Sequence, residues 1–193
     1  MKKLIALVIV CLMCLVIASC GSGGVILDEN EVISGNGTDK VEKAGITYVL
    51  ENGKVKQGET VLYEFDNLIN EKLFALGEYL YVNTIDGAMQ LGINKDKITK
   101  FGTGEIWATK GKWVYYTSDN SQVRDMCLYK VDMTEGRIVL LYEDDVVSCE
   151  EIENGVFLFT SSEGTEYVNE VNDDEAFYYE EWATEDVTEI ETE

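Results

Sequence analysis

The groups with chemistry to offer in this 193-residue chain are 37 acidic side chains, five cysteines, eleven tyrosines and three tryptophans; histidine is missing altogether. Without imidazole there is no Ser-His or Cys-His nucleophile, no imidazole metal ligand and no histidine pH switch. So many carboxylates guarantee some pair at glycosidase-like separation, but no motif singles one out, and no catalytic residue is assigned. Asp144 with Asp145, and Asp173, Asp174 and Glu175, offer hard oxygen ligands. Neither set has the alternating acid spacing of a preformed calcium loop, so no metal or cofactor is expected. The aromatics are more informative, because rings with one polar edge serve both packing seams and recognition surfaces. Trp107, Trp113, Tyr115 and Tyr116 crowd into one stretch. Most belong to runs apolar on both faces and read as structural, which leaves Trp107 and Tyr129 as candidates for a binding surface.

The chain is 46% hydrophobic and 27% charged, enough for one globular domain with a core and too little for two large ones. Fifteen bases against 37 acids give a formal charge of -22 and a pI near 4.2. The basic face that holds a phosphate backbone is absent, which excludes nucleic acid as a partner.

The N-terminus, MKKLIALVIVCLMCLVIASC, sets Lys2 and Lys3 before an uncharged apolar run from Leu4 to Ile17 and then Ala18 and Ser19. That order is a secretory signal; the run falls short of the roughly 20 residues of a membrane span. Its ending, IASC, resembles a bacterial lipobox. The resemblance implies cleavage between Ser19 and Cys20, a diacylglyceryl group on Cys20, and a mature protein anchored on the extracytoplasmic face of the cell membrane. Two acyl chains anchor stably where one does not. Residues 1–19 are then the signal peptide, and residues 20–40, rich in Gly, Ser, Asn and acids, a tether. The mature chain keeps 13 bases against 37 acids, a formal charge of -24. Cys127 and Cys149 are the only other cysteines left. Outside the cell an even pair suggests a disulfide; the alternative is two buried small hydrophobes.

Four similar passages fill residues 41–182, ahead of an acidic tail at 183–193. ITYVLENG, YLYVNTIDG, WVYYTSDNS and VFLFTSSEG are aromatic or β-branched and end in turn residues. Each is followed by a more polar strand (GKVKQGE, AMQLGINKD, CLYKVDMTEG, EYVNEVNDD), then a third, such as GRIVLLYED, and a fourth, such as EIWATKGK, leading into the next unit. Gly45, Gly77, Gly111 and Gly155 mark the phase; the longest unit carries an insertion around NSQVRD. Units of about four strands at this period predict an all-β fold of antiparallel repeats forming a small or partial β-propeller, with a β-sandwich as the alternative. In WVYYTS and RIVLLY both alternating faces are apolar, as in a sheet covered on both sides. Proline is absent, which suits a chain of paired strands. EFDNLINEKLFALG alone has helix-like spacing at Phe65, Leu68, Ile69 and Leu76, which leaves a helical turn open there.

The segments VYYTSDN, LYKVDMTEG and RIVLLYEDD resemble YWTD-type β-propeller repeats, in particular divergent relatives in bacterial lipoproteins of unknown function. The resemblance is good over 111–149, weaker over 77–110 and 150–182, and poor over 45–76. Such propellers usually have six blades and this chain has room for about four, so the resemblance implies blades without implying a closed ring. WATEDVTEI is either a strand that pairs back onto the first unit or the stump of a further blade. The expected function is a non-catalytic module at the cell envelope, held to the membrane by its lipid and binding a protein or glycan. The alternatives are a carboxylate-dependent enzyme or accessory subunit acting on peptidoglycan or polysaccharide, and a sensor or scaffold of a membrane complex.

Overall fold

The computed structural model describes residues 33–94, 97–119 and 126–179. The chain runs through four antiparallel sheets in sequence order, each a simple meander. The first holds β1 (Ile33–Ser34), β2 (Lys40–Lys43), β3 (Ile46–Glu51), β4 (Lys54–Gln57) and β5 (Thr60–Glu64). The second holds β6 (Leu68–Leu76), β7 (Tyr79–Thr84), β8 (Gly87–Gly92) and β9 (Ile98–Lys100). The third holds β10 (Ile106–Lys110), β11 (Trp113–Asp119), β12 (Met126–Asp132) and β13 (Ile138–Tyr142). The fourth holds β14 (Val146–Glu153), β15 (Val156–Ser161), β16 (Glu166–Glu170) and β17 (Phe177–Tyr178). No sheet closes into a barrel, and among the described residues no ladder joins the first sheet to the fourth.

The repeat read from the glycines is the repeat of the fold. Gly45, Gly77, Gly111 and Gly155 occupy the same turn in the four sheets, with φ of 74°, 55°, 58° and 85°. A side chain rarely adopts that backbone, so glycine marks the position. The insertion around NSQVRD falls largely at 120–125, outside the described residues.

The sheets stack face to face and bury three apolar layers. Strand alternation supplies both sides of each layer. On β7, Leu80 and Val82 enter the first layer with Val41, Leu50 and Val55, while Tyr81 enters the second with Phe74, Ile106 and Val114. On β11, Val114 and Tyr116 belong to the second layer, and Trp113 and Tyr115 to the third with Leu128, Phe157 and Phe159. The two inner sheets are therefore apolar on both faces, as WVYYTS suggests. The first sheet instead has a solvated outer face, where Lys54 pairs with Glu64 at 3.2 Å and Lys56 with Glu51 at 2.7 Å.

Two expectations change. Residues 33–40, assigned to the tether on composition, are part of the first sheet. β1 pairs with β2, Thr38 bridges Leu73 of the second sheet, and Asn36 accepts the Ala75 N–H at 2.7 Å. Polar composition hid this because backbone and carboxamide groups make the contacts. The segment LINEKLFAL is strand β6 and not a helical turn. Its helix-like spacing arises because the strand leaves register between Leu68 and Leu73, where only Asn83 lies opposite the intervening residues.

Candidate binding surface

The first strands of the second, third and fourth sheets lie side by side, β6 against β10 and β10 against β14. Each breaks register near its start: β6 between Leu68 and Leu73, β10 between Ile106 and Ala108, β14 between Val146 and Ser148. A bulge pushes a residue out of the ladder and re-aims its side chain. The residues left out of the ladders are Ile69, Asn70, Glu71 and Lys72 on β6, Trp107 on β10 and Val147 on β14. Ile69 is 50% exposed, Val147 is 57% exposed, and Trp107 is half-buried. Ile69 and Val147 therefore stand outside the packed layers, whereas Trp107, between them on β10, packs against the third layer with its indole nitrogen buried.

Polar groups hold this row in place. Asn83, fully buried, accepts the Ile106 N–H at 2.8 Å and donates to the Ile106 carbonyl at 3.0 Å, so its carboxamide acts as a strand partner across two sheets. Glu105 accepts from the Asn70 carboxamide at 3.0 Å. Lys72, inside the β6 bulge, sets its ammonium 5.6 Å from the centre of the Trp107 ring, a cation–π contact. Lys110 pairs with Glu151 at 2.7 Å and ties β10 to β14. Beside Trp107, Cys149 packs in the third layer. Burial pushes its thiol well above the ordinary range, with Lys72 pulling the other way, so it is a poor nucleophile at neutral pH.

A second cluster lies around Trp113, with Lys112, Lys130 and Arg137 within 5.4 Å of its ring centre. Lys130 is fully buried. It donates to Asn169 Oδ1 at 3.3 Å, to the Val171 carbonyl at 3.2 Å and to the Asp173 carbonyl. Burial pulls its ammonium down to about 8, against the upward pull of Asp174 and Asp173. Asp132, also buried, meets Lys112 at 2.6 Å. Burial pushes this carboxyl up, and Lys112 and the Thr134 and Glu135 donors bring it down to about 2.

The sequence-chosen residues separate. Trp107 sits on the bulge at the edge of the third layer, whereas Tyr129 belongs to the second layer, stacked on Tyr116 with ring centres 5.6 Å apart. They pack on opposite faces of one sheet and form no common surface. No disulfide joins Cys127 to Cys149. Cys127 pairs with Ser118, next to Thr117↔Leu128 in the ladder, so its side chain leaves the sheet on the face opposite Leu128 and the layer that holds Cys149. Ser19 and Cys20 lie outside the described residues. Sequence reasoning missed Lys72, Asn83 and Lys130; a lysine inside an otherwise apolar strand run, as in CLYKVD, was the available signal for the last. Among the described residues, no group of three cysteine or acidic side chains converges as a metal site. No protein-family model matches the chain, and no curated protein matches it in sequence.

Proposed function

We propose that the protein is a lipid-anchored, non-catalytic binding module of the bacterial cell envelope, its four sheets being blades of a partial β-propeller. The row Ile69, Trp107 and Val147, with Lys72 over the indole, is its contact surface for a protein or glycan. The bulged first strands carry this reading. Their register breaks leave Ile69 and Val147 exposed to either side of the half-buried Trp107, an apolar row along three neighbouring strands. The lipobox-like IASC supports the anchor. The lack of histidine and the raised thiol of Cys149 favour binding over chemistry. The meander order and the adjacency of the first strands support blades arranged about an axis.

Anchor and partner are tested together by crosslinking on intact cells, capture of the tagged protein and mass spectrometry, with Cys20→Ala and Trp107→Ala as controls. The expected result is acylated protein in the detergent phase and a reproducible adduct, protein or glycan, that either substitution diminishes. Cys20→Ala protein that still carries acyl chains contradicts the anchor. An adduct indifferent to Trp107→Ala contradicts the surface.

A further inference from the structure

The charged side chains along the first strands of the second to fourth sheets are not equivalent. Glu71 accepts the Asn52 N–H of the first sheet at 3.1 Å. Glu105 accepts from the Asn70 carboxamide at 3.0 Å. Glu151 accepts from Lys110 and from the Gly155 N–H, each at 2.7 Å. Lys72 differs from these: it is exposed, and among the described residues no carboxylate pairs with it. Its place is nonetheless defined. Inside the β6 bulge its own N–H donates to Asn70 Oδ1 at 3.2 Å, its ammonium lies 5.6 Å from the centre of the Trp107 ring on β10, and its charge acts on the Cys149 thiol of β14. The ammonium therefore stands where the three first strands meet, with Ile69 and Val147, 50% and 57% exposed, to either side.

A base without an acid stands out in a chain that has 37 acids for 15 bases. A glycan would need an open ring face to stack on and free polar groups to bond. Here Lys72 lies over the indole, the ring packs against the third layer with its nitrogen buried, and the Asn70, Asn83 and Glu105 side chains are already bonded within the chain. Two aliphatic side chains about one ammonium suit a polypeptide better. We infer that the row binds a protein segment in which an Asp or Glu side chain stands between apolar ones, the carboxylate meeting Lys72 Nζ and its apolar neighbours covering Ile69 and Val147. This rests on the proposed contact surface and adds the chemistry of its partner. The ammonium has three donors and keeps its place over the indole while it takes a carboxylate. The formal charge of -22 repels an acidic segment from a distance, but at physiological ionic strength that repulsion is screened beyond about 8 Å, and a contact with Lys72 lies inside that length. Lys72 is thus the residue that sets specificity, admitting an acid at the centre of the row and opposing a base.

The test is selection of random heptapeptides, displayed on phage, against the full chain in detergent micelles. The selected peptides are expected to carry one Asp or Glu flanked by apolar residues. A labelled peptide from that set should lose about threefold in affinity with Lys72→Met, which keeps an apolar stem over the indole, and about tenfold with Lys72→Glu, where repulsion replaces attraction. Exchanging the peptide's acid for Lys should restore binding to Lys72→Glu and weaken binding to the unsubstituted chain. Should Lys72→Glu lose the β-sheet circular dichroism spectrum, Lys72→Met and the peptide with its acid changed to the amide take its place, and their losses are expected not to add. Trp107→Ala separates the two readings. Peptides that bind Trp107→Ala equally well contradict the contact surface itself; peptides that need Trp107 but are indifferent to Lys72→Glu, or that carry no acid, overturn this inference alone. Failure to select any peptide, alongside Trp107-dependent retention of the protein on purified peptidoglycan, overturns it in favour of a glycan, and failure of both overturns the surface as well.

Discussion

Lys130 shows how much one side chain can carry. Its ammonium is buried under an indole and held by one carboxamide and two backbone carbonyls of the fourth sheet. Replacing it by Met leaves those acceptors without their donor, and the expected loss is about 1–3 kcal/mol in urea unfolding. The pH dependence has a definite sign. Below about pH 8 the lysine is charged in both states; between about 8 and its ordinary 10.5 the folded protein releases the proton while the unfolded chain keeps it. The unfolded state then binds more protons, so this group makes the fold more stable as pH rises through that window. The stability of the natural protein relative to Lys130→Met should therefore grow between pH 7 and 9.5; a constant or shrinking difference would contradict it. Asp132 acts in the acid range. Its folded value of about 2 lies below the ordinary 3.8, so its contribution is complete above pH 3.8 and is lost as pH falls through 2. Asp132→Asn should remove on the order of 2 kcal/mol at pH 7 and flatten the acid limb of the unfolding curve.

Among the elements, the seams between sheets matter more than the sheets themselves. Each seam has an asparagine: Asn36 on Ala75, Asn83 on Ile106, and Asn169 receiving Tyr115 at 2.9 Å and Lys130. Asn83 is the most exacting, because both backbone groups of Ile106 depend on it. Asn83→Ala should cost about 1–3 kcal/mol and let the β6 bulge move, whereas Asn36→Ala, only partly buried, should cost less. Comparison of the two in chemical denaturation measures the difference. Short aromatic and β-branched runs such as YLYVNT and WVYYTS, with glycine at the turns, made the strands and their order readable from sequence. The bulges were not, because a register break is set by the partner strand; β6 consequently imitated a helix. Residues 33–40 looked like linker for the same reason, their bonds being made by backbone and carboxamide. Trp107 and Tyr129 looked equivalent in the sequence because strand order does not say which face a side chain takes.

Across the whole molecule, charge is unevenly placed. After Arg137 the chain has no lysine or arginine, so the cations that hold the fourth sheet, Lys110, Lys130 and Arg137, all come from the third. Salt should weaken the exposed Lys110–Glu151 and Arg137–Asp174 pairs and leave the buried Lys130 contact nearly unchanged. Hydrogen exchange between low and high salt should then show the fourth sheet loosening first and Val171 holding longest. The row on the first strands spans the second to fourth sheets, so anything bound there reads the seams as well as the side chains. The most direct test of the proposed contact surface is photocrosslinking in intact cells. A photoreactive residue replaces Ile69 or Val147 on the bulges, with Glu59, on the remote turn before β5, as the comparison. The expected result is one shared adduct from positions 69 and 147, none from 59, and loss of that adduct on adding Trp107→Ala to folded, anchored protein. Adducts that are the same from all three positions, or that persist without Trp107, would contradict the assignment of the bulged first strands as the binding surface.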